Sequence, residues 1–135
     1  MEYHLYFQFW NSSPKHQFLY EHLKGLYDGP NRHYHNWDHI EYAQKIAVTL
    51  CHDVDLSEQD YLEVQLALFF HDIIHTTTAS GHTGEMDSGE LAELFLSHLE
   101  MEAKSARQIN YYIWSTSNHI PVKDTLAEKI VICSD

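Results

Sequence analysis

From Val64 to Phe70 the chain reads Val-Gln-Leu-Ala-Leu-Phe-Phe, and the next two residues are His71 and Asp72. A helix this apolar on nearly every face must be enclosed by other helices, so the segment by itself demands a bundle. It also delivers an imidazole and a carboxylate out of the most apolar stretch of the chain. Burying a carboxylate without a partner is costly, so Asp72 must be ion-paired, hydrogen-bonded or bound to a metal.

The punctuation of the sequence supplies the enclosing helices. Asn11-Ser12-Ser13-Pro14 is a helix start, with serine caps and a proline whose missing N–H costs nothing in a first turn. Phe18, Leu19, His22, Leu23 and Leu26 recur at three- and four-residue steps until Asp28-Gly29-Pro30 stops the run. A second helix is predicted over Asp38 to Leu50, with Ile40, Ala43, Ala47 and Leu50 on one stripe. Ser57 and Asp60 resemble a capping box and open a third, which runs through Leu62, Leu66, Phe69 and Phe70 towards His75. Thr76 to Gly84 reads as a surface loop. Helices over Glu85 to Leu99 and Ser105 to Ser117 follow, and after Pro121 a last one begins near Asp124 and contains Leu126, Ile130 and Val131. Met1 to Trp10 alternates weakly and suits a strand or a helix. The expectation is one all-α domain over residues 1–135, a bundle of five to seven helices.

Charge and composition narrow the partners. Eight lysines and arginines against 20 carboxylates give a net charge of −12, which repels nucleic-acid backbones and anionic membranes. No apolar run approaches the ~20 residues of a bilayer span. Met1 to Trp10 carries Glu2, His4 and Gln8 and no basic leader, so a signal peptide is not expected. Cys51 and Cys133 make no disulfide framework, which points to a reducing cytoplasm. Both thiols read as packing groups, since apolar neighbours raise a thiol pKa and leave it inert. Twelve histidines beside 20 carboxylates point instead to metal chemistry.

Position sorts those histidines. His4, His16, His22, His33, His52, His82 and His98 have no partner at metal-ligand spacing and read as surface or half-buried rings. His52-Asp53, just past a helix end, is an internal control in which both groups can stay in water. His71 and His75 stand four residues apart, as do His35 and His39, so each pair shares a helix face. Adjacent His and Asp on a helix point about 100° apart, so His71 and Asp72 converge on one ion only at a helix–helix groove. Imidazole with carboxylate suits a divalent ion such as Mn, Fe, Co, Ni, Zn or Mg. Spacing alone leaves a metal site and a buried hydrogen-bonded polar cluster as equal alternatives.

Taken in order, His39, then His71-Asp72 after an apolar helix, then Asp135 after Ile130-Val131-Ile132-Cys133-Ser134 resembles the HD superfamily of metal-dependent phosphohydrolases. The surroundings resemble its small bacterial branch of predicted metal-dependent HD phosphohydrolases. Four segments carry the likeness: Arg32-His33-Tyr34-His35-Asn36-Trp37-Asp38-His39-Ile40, Phe70-His71-Asp72, Glu85-Met86-Asp87-Ser88 and Thr116-Ser117-Asn118-His119. It covers Arg32 to Asp135. The chain departs from the pattern at Ile73-Ile74-His75-Thr76, where that family commonly has aromatic and acidic residues, and at Asp135, beyond which family members continue.

The resemblance implies a metal shell of His39, His71, Asp72 and Asp135, with phosphate or water completing it, and a small phosphorylated, nucleotide-like substrate. Glu85 by resemblance, or His75 by position, would donate the proton to the leaving oxygen. Arg32, whose fork suits phosphate, is grouped with His35 and His119 as phosphate ligands or ligands of a second ion. Two other readings stand beside this one. A degenerate HD domain would bind metal or nucleotide as a sensor or interaction module. His71-Asp72-Ile73-Ile74-His75 could instead be a relative of the zinc-protease His-Glu-x-x-His helix, although aspartate is one methylene too short for that base. Finally, Ile130, Val131 and Ile132 project on several faces of the last helix. That surface implies a longer natural protein, with C-terminal helices missing here, or a homo-oligomer through this helix.

Overall fold

The computed structural model describes residues 4–29, 32, 35–52, 54–74, 84–117 and 125–135. The described residues form helices and connecting turns, with no strand among them. In chain order the helices are α1 (His4–Trp10), α2 (Pro14–Leu26), α3 (Trp37–Cys51), α4 (Glu58–Phe70), α5 (Gly84–His98), α6 (Ala103–Ser115) and α7 (Leu126–Ser134).

Capping side chains start the helices where expected. The Ser13 hydroxyl accepts from the His16 N–H, that of Ser57 from the Asp60 N–H, and that of Thr125 from the Glu128 N–H. Asn36 does the same for α3, taking the His39 N–H at 3.1 Å. From His4 to Trp10 the ambiguous N-terminal stretch is helical, with Tyr6 and Trp10, four residues apart, both buried.

α4 is the centre of the bundle. Every residue from Val64 to Phe70 is buried, and α1, α3, α5, α6 and α7 pack around it. Phe69 gathers the rings of Trp10, Tyr20, Trp37 and Tyr27, with centroids 5.1, 5.6, 6.0 and 6.4 Å away. Gln65, the polar exception in the apolar run, donates its side-chain amide to the Gln44 backbone carbonyl at 3.4 Å, and Gln44 donates its own to the Gln65 carbonyl at 3.2 Å. The buried amides therefore join α3 to α4 instead of opposing burial.

Three expectations change. α4 does not run on towards His75; it ends at Phe70, with His71 as its C-cap, and His75 lies outside the described residues. On α7, Ala127, Ile130 and Val131 are buried under α3, α4 and α6, Ile132 is half-buried and Leu126 is exposed. Ile130 and Val131 therefore do not offer the apolar surface that the sequence implied. Cys133 is exposed and is not a packing group, whereas Cys51 is buried and burial pushes its thiol pKa up.

α6 side chains pack directly onto α5 at Gly89, where a Cβ would stand 2.2 Å from Asn110 Oδ1 and 2.8 Å from Trp114 Cδ1. Gly25, in α2, has nothing within 4 Å of the same position. Alanine favours a helix over glycine by up to about 1 kcal/mol, so Gly25→Ala should stabilise by about 0.5 kcal/mol. Gly89→Ala should destabilise by about 1–3 kcal/mol despite the same propensity gain, because the helices must separate. Urea unfolding of the two variants checks the contrast, and equal effects would refute the close approach.

Candidate metal centre

The end of a buried helix leaves carbonyls without intrahelical partners, and here the last three find specific ones. His71 Nδ1 donates to the Leu68 carbonyl at 2.7 Å, and the Tyr27 hydroxyl donates to that of Phe69 at 2.5 Å. The Ile73 N–H takes the Phe70 carbonyl at 3.0 Å. One step on, Arg32 Nη1 donates to the Asp72 carbonyl at 2.6 Å and Nη2 to that of Ile73. Ser88 on α5 then clamps Ile74, accepting its N–H at 2.9 Å and donating to its carbonyl at 3.1 Å. His71 and Asp72 therefore sit in a tight turn with its backbone fixed on both sides, and not on the continuous helix the spacing suggested.

Into that turn α3 brings His39, in its first turn, and α7 brings Asp135, its C-cap residue. His71 Nε2 stands 2.9 Å from Asp135 Oδ1 and 3.7 Å from Asp72 Oδ2. His39 Nε2 stands 3.4 Å from the first of these oxygens and 3.5 Å from the second. Donors each about 2.1 Å from one ion lie about 3.0 Å apart at octahedral angles and about 3.4 Å apart at tetrahedral ones. The separations, from 2.9 to 3.7 Å, bracket that range. His39, His71 and Asp72 form the group whose donor atoms all lie within 4.8 Å of one another, and Asp135 Oδ1 joins it through the two imidazoles.

The tautomer of His71 is settled by its neighbour. A carbonyl only accepts, so Nδ1 carries a proton, and neutral His71 turns the Nε2 lone pair towards a carboxylate. Two acceptors face each other there unless a second proton or a cation lies between them. Without a metal, the proton takes that place. Burial acts to lower the His71 pKa, but the Asp135 hydrogen bond and the charges of Asp72 and Asp135 outweigh it, and the pKa is raised. Burial acts to raise that of Asp135, but the hydrogen bonds and charges of His39 and His71 hold it well below the usual carboxylate range.

The remaining sequence candidates divide. His35 lies just ahead of α3, and its Nδ1 is 2.7 Å from Asp72 Oδ2; its ring is 45 % exposed. Arg32 is turned onto backbone carbonyls and the Tyr27 ring. Glu85 stands in the first turn of α5 and is not one of the converging residues. His75 and His119 lie outside the described residues. His52, the control, is exposed at the end of α3. The helical reading of His71 to His75 as a protease motif loses its geometry with the end of α4 at Phe70. Two contributors were not anticipated. Tyr27 falls four residues after Leu23, where a buried tyrosine needs a partner for its hydroxyl, and Asn36 is an N-cap residue placed to start α3.

No protein-family model, no curated protein and no solved structure matches this chain.

The two shifts set a pH window. His71 is raised, so its contribution to stability is complete below the unfolded histidine value of about 6.5 and is lost as pH climbs through the folded one. Asp135 is lowered, so its contribution is complete above the unfolded carboxylate value of about 3.9 and is lost only in strong acid. In chelator, this pair should therefore stabilise most between about pH 4 and 6.5, and its contribution should fall as pH rises above the folded His71 value. A metal must displace the Nε2 proton, so the thermal shift produced by Mn²⁺ should be larger at pH 8 than at pH 5.5. Thermal melts with EDTA or Mn²⁺ at both pH values test this, and a larger Mn²⁺ shift at the lower pH would contradict it.

Proposed function

We propose that the chain is a metal-dependent phosphohydrolase of the HD type, acting in the cytoplasm on a small phosphorylated, nucleotide-like substrate. The observation that carries the reading is His71: its Nδ1 is held by a backbone carbonyl while its Nε2 faces Asp135, beside Asp72 and His39. Imidazole and carboxylate donors in that arrangement suit Mn, Fe, Co, Ni, Zn or Mg, held by His39, His71, Asp72 and Asp135. Such an ion supplies positive charge to a phosphoryl oxygen and makes water acidic enough to act as a nucleophile near neutral pH. A protein of net charge −12 needs that local charge to admit a phosphate.

The chain's own residues prepare the site. The Leu68 carbonyl fixes the His71 tautomer, and His35 orients Asp72 through Oδ2. His35 has the most exposed ring at the cluster, which suits it to meet a phosphate or to move a proton. Glu85 remains the candidate proton donor to the leaving oxygen, on resemblance, and His119 a further ligand, whereas the shared helix face that offered His75 is lost with the end of α4 at Phe70.

The second reading, a metal- or nucleotide-binding module without turnover, is favoured by one observation. The Arg32 guanidinium that the sequence offers to a phosphate is engaged with backbone carbonyls. Release of inorganic phosphate from nucleoside mono-, di- and triphosphates with Mn²⁺ or Ni²⁺ separates the two: the enzyme releases phosphate, and the module binds without turnover. Asp72→Ala should lose bound metal and activity together while keeping its helical circular dichroism, and His52→Ala should change neither. Undiminished phosphate release by Asp72→Ala would refute the metal-dependent reading.

A further inference from the structure

We propose that Arg32 is a positioning residue that sets the geometry of the metal cluster through the backbone, and that a bound phosphate is not its partner. This rests on the metal-centre reading above. Arg32 Nη1 donates to the Asp72 carbonyl at 2.6 Å and to the His35 carbonyl at 3.3 Å, and Nη2 donates to the carbonyl of Ile73. One planar group thus joins the two segments that meet at Asp72 Oδ2: the approach to α3, carrying His35, and the turn after α4. The guanidinium carbon lies 5.1 Å from the centroid of the buried Tyr27 ring, whose hydroxyl takes the Phe69 carbonyl. The cation therefore stands at the negative end of α4, stacked on a ring and bonded to three carbonyls.

Three of the five guanidinium donors are directed at backbone oxygens, both Nη1 hydrogens among them, so a phosphate could turn the fork towards itself only at the cost of charge-assisted bonds to those carbonyls. The carbonyl of Asp72 is held on one side and its carboxylate by His35 on the other, so the direction of Oδ2 towards His39 and His71 follows from both. Lysine would keep the charge, but its ammonium cannot reproduce a planar fork across three carbonyls.

Arg32→Lys separates positioning from phosphate binding. In the variant, Co²⁺ affinity should fall about ten- to a hundred-fold, as when the outer support of metal ligands is removed, and the visible Co²⁺ bands should change. The imidazole ¹⁵N shifts of His35 and His71 should move in the metal-free protein. Affinity of the Co²⁺-saturated variant for inorganic phosphate should stay within about two-fold of wild type, since charge is kept. Unchanged Co²⁺ affinity, bands and shifts with phosphate binding lost would overturn the proposal. Should Arg32→Lys not fold, Tyr27→Phe keeps the ring and removes only the hydroxyl bond to Phe69. It should move the same His71 signals and weaken Co²⁺ binding, and the absence of both effects would also overturn the proposal. A wild-type protein that takes up no Co²⁺ would sink the metal reading, while the metal-free ring shifts would still decide whether Arg32 sets the cluster.

Discussion

The structure depends on how α4 ends. A helix buried on every face has its last carbonyls buried too, and each one left without a donor costs about 1–3 kcal/mol. Tyr27, His71, Ile73 and Arg32 answer that demand at Phe69, Leu68, Phe70, Asp72 and Ile73. One of the donors is itself a cluster residue. The bond that satisfies the Leu68 carbonyl also fixes the tautomer of His71, so backbone satisfaction and site construction are a single event.

Charge completes the logic. Asp72 and Asp135 come together beside two imidazoles at the negative end of α4, with the first turn of α3 close by. A protonated His71 partly neutralises the pair, and a divalent cation would do so fully. The same balance explains why a carboxylate is tolerated at the C-cap of α7, a position the helix dipole disfavours. The imidazoles of His39 and His71 offset that cost.

Much of this was legible in the sequence, and for identifiable reasons. Helix starts were readable from Ser13, Ser57 and the segment before Leu126, because caps are local chemistry. His39, His71, Asp72 and Asp135 could be picked out by their order, and the structure brings them together. The end of α4 was not readable. Ile73 and Ile74 prolong the apolar pattern, and the four-residue step to His75 mimics helical continuity, whereas the actual stop depends on donors from Tyr27 and Arg32, far away in the chain. The backbone bonds of Arg32 were not readable for a related reason: a guanidinium bonds phosphate and carbonyl oxygens with the same fork, and only the fold decides which oxygens are near. The burial of α7 was missed because periodicity shows which residues are apolar but not which helices cover them.

The most direct test of the account is anomalous diffraction from crystals of the protein soaked in Mn²⁺. The account predicts one strong peak about 2.0–2.3 Å from His39 Nε2, His71 Nε2 and an oxygen of each of Asp72 and Asp135, with His71 Nδ1 still on the Leu68 carbonyl. A peak only at other carboxylates, or none with the His71–Asp135 contact unchanged, would contradict it.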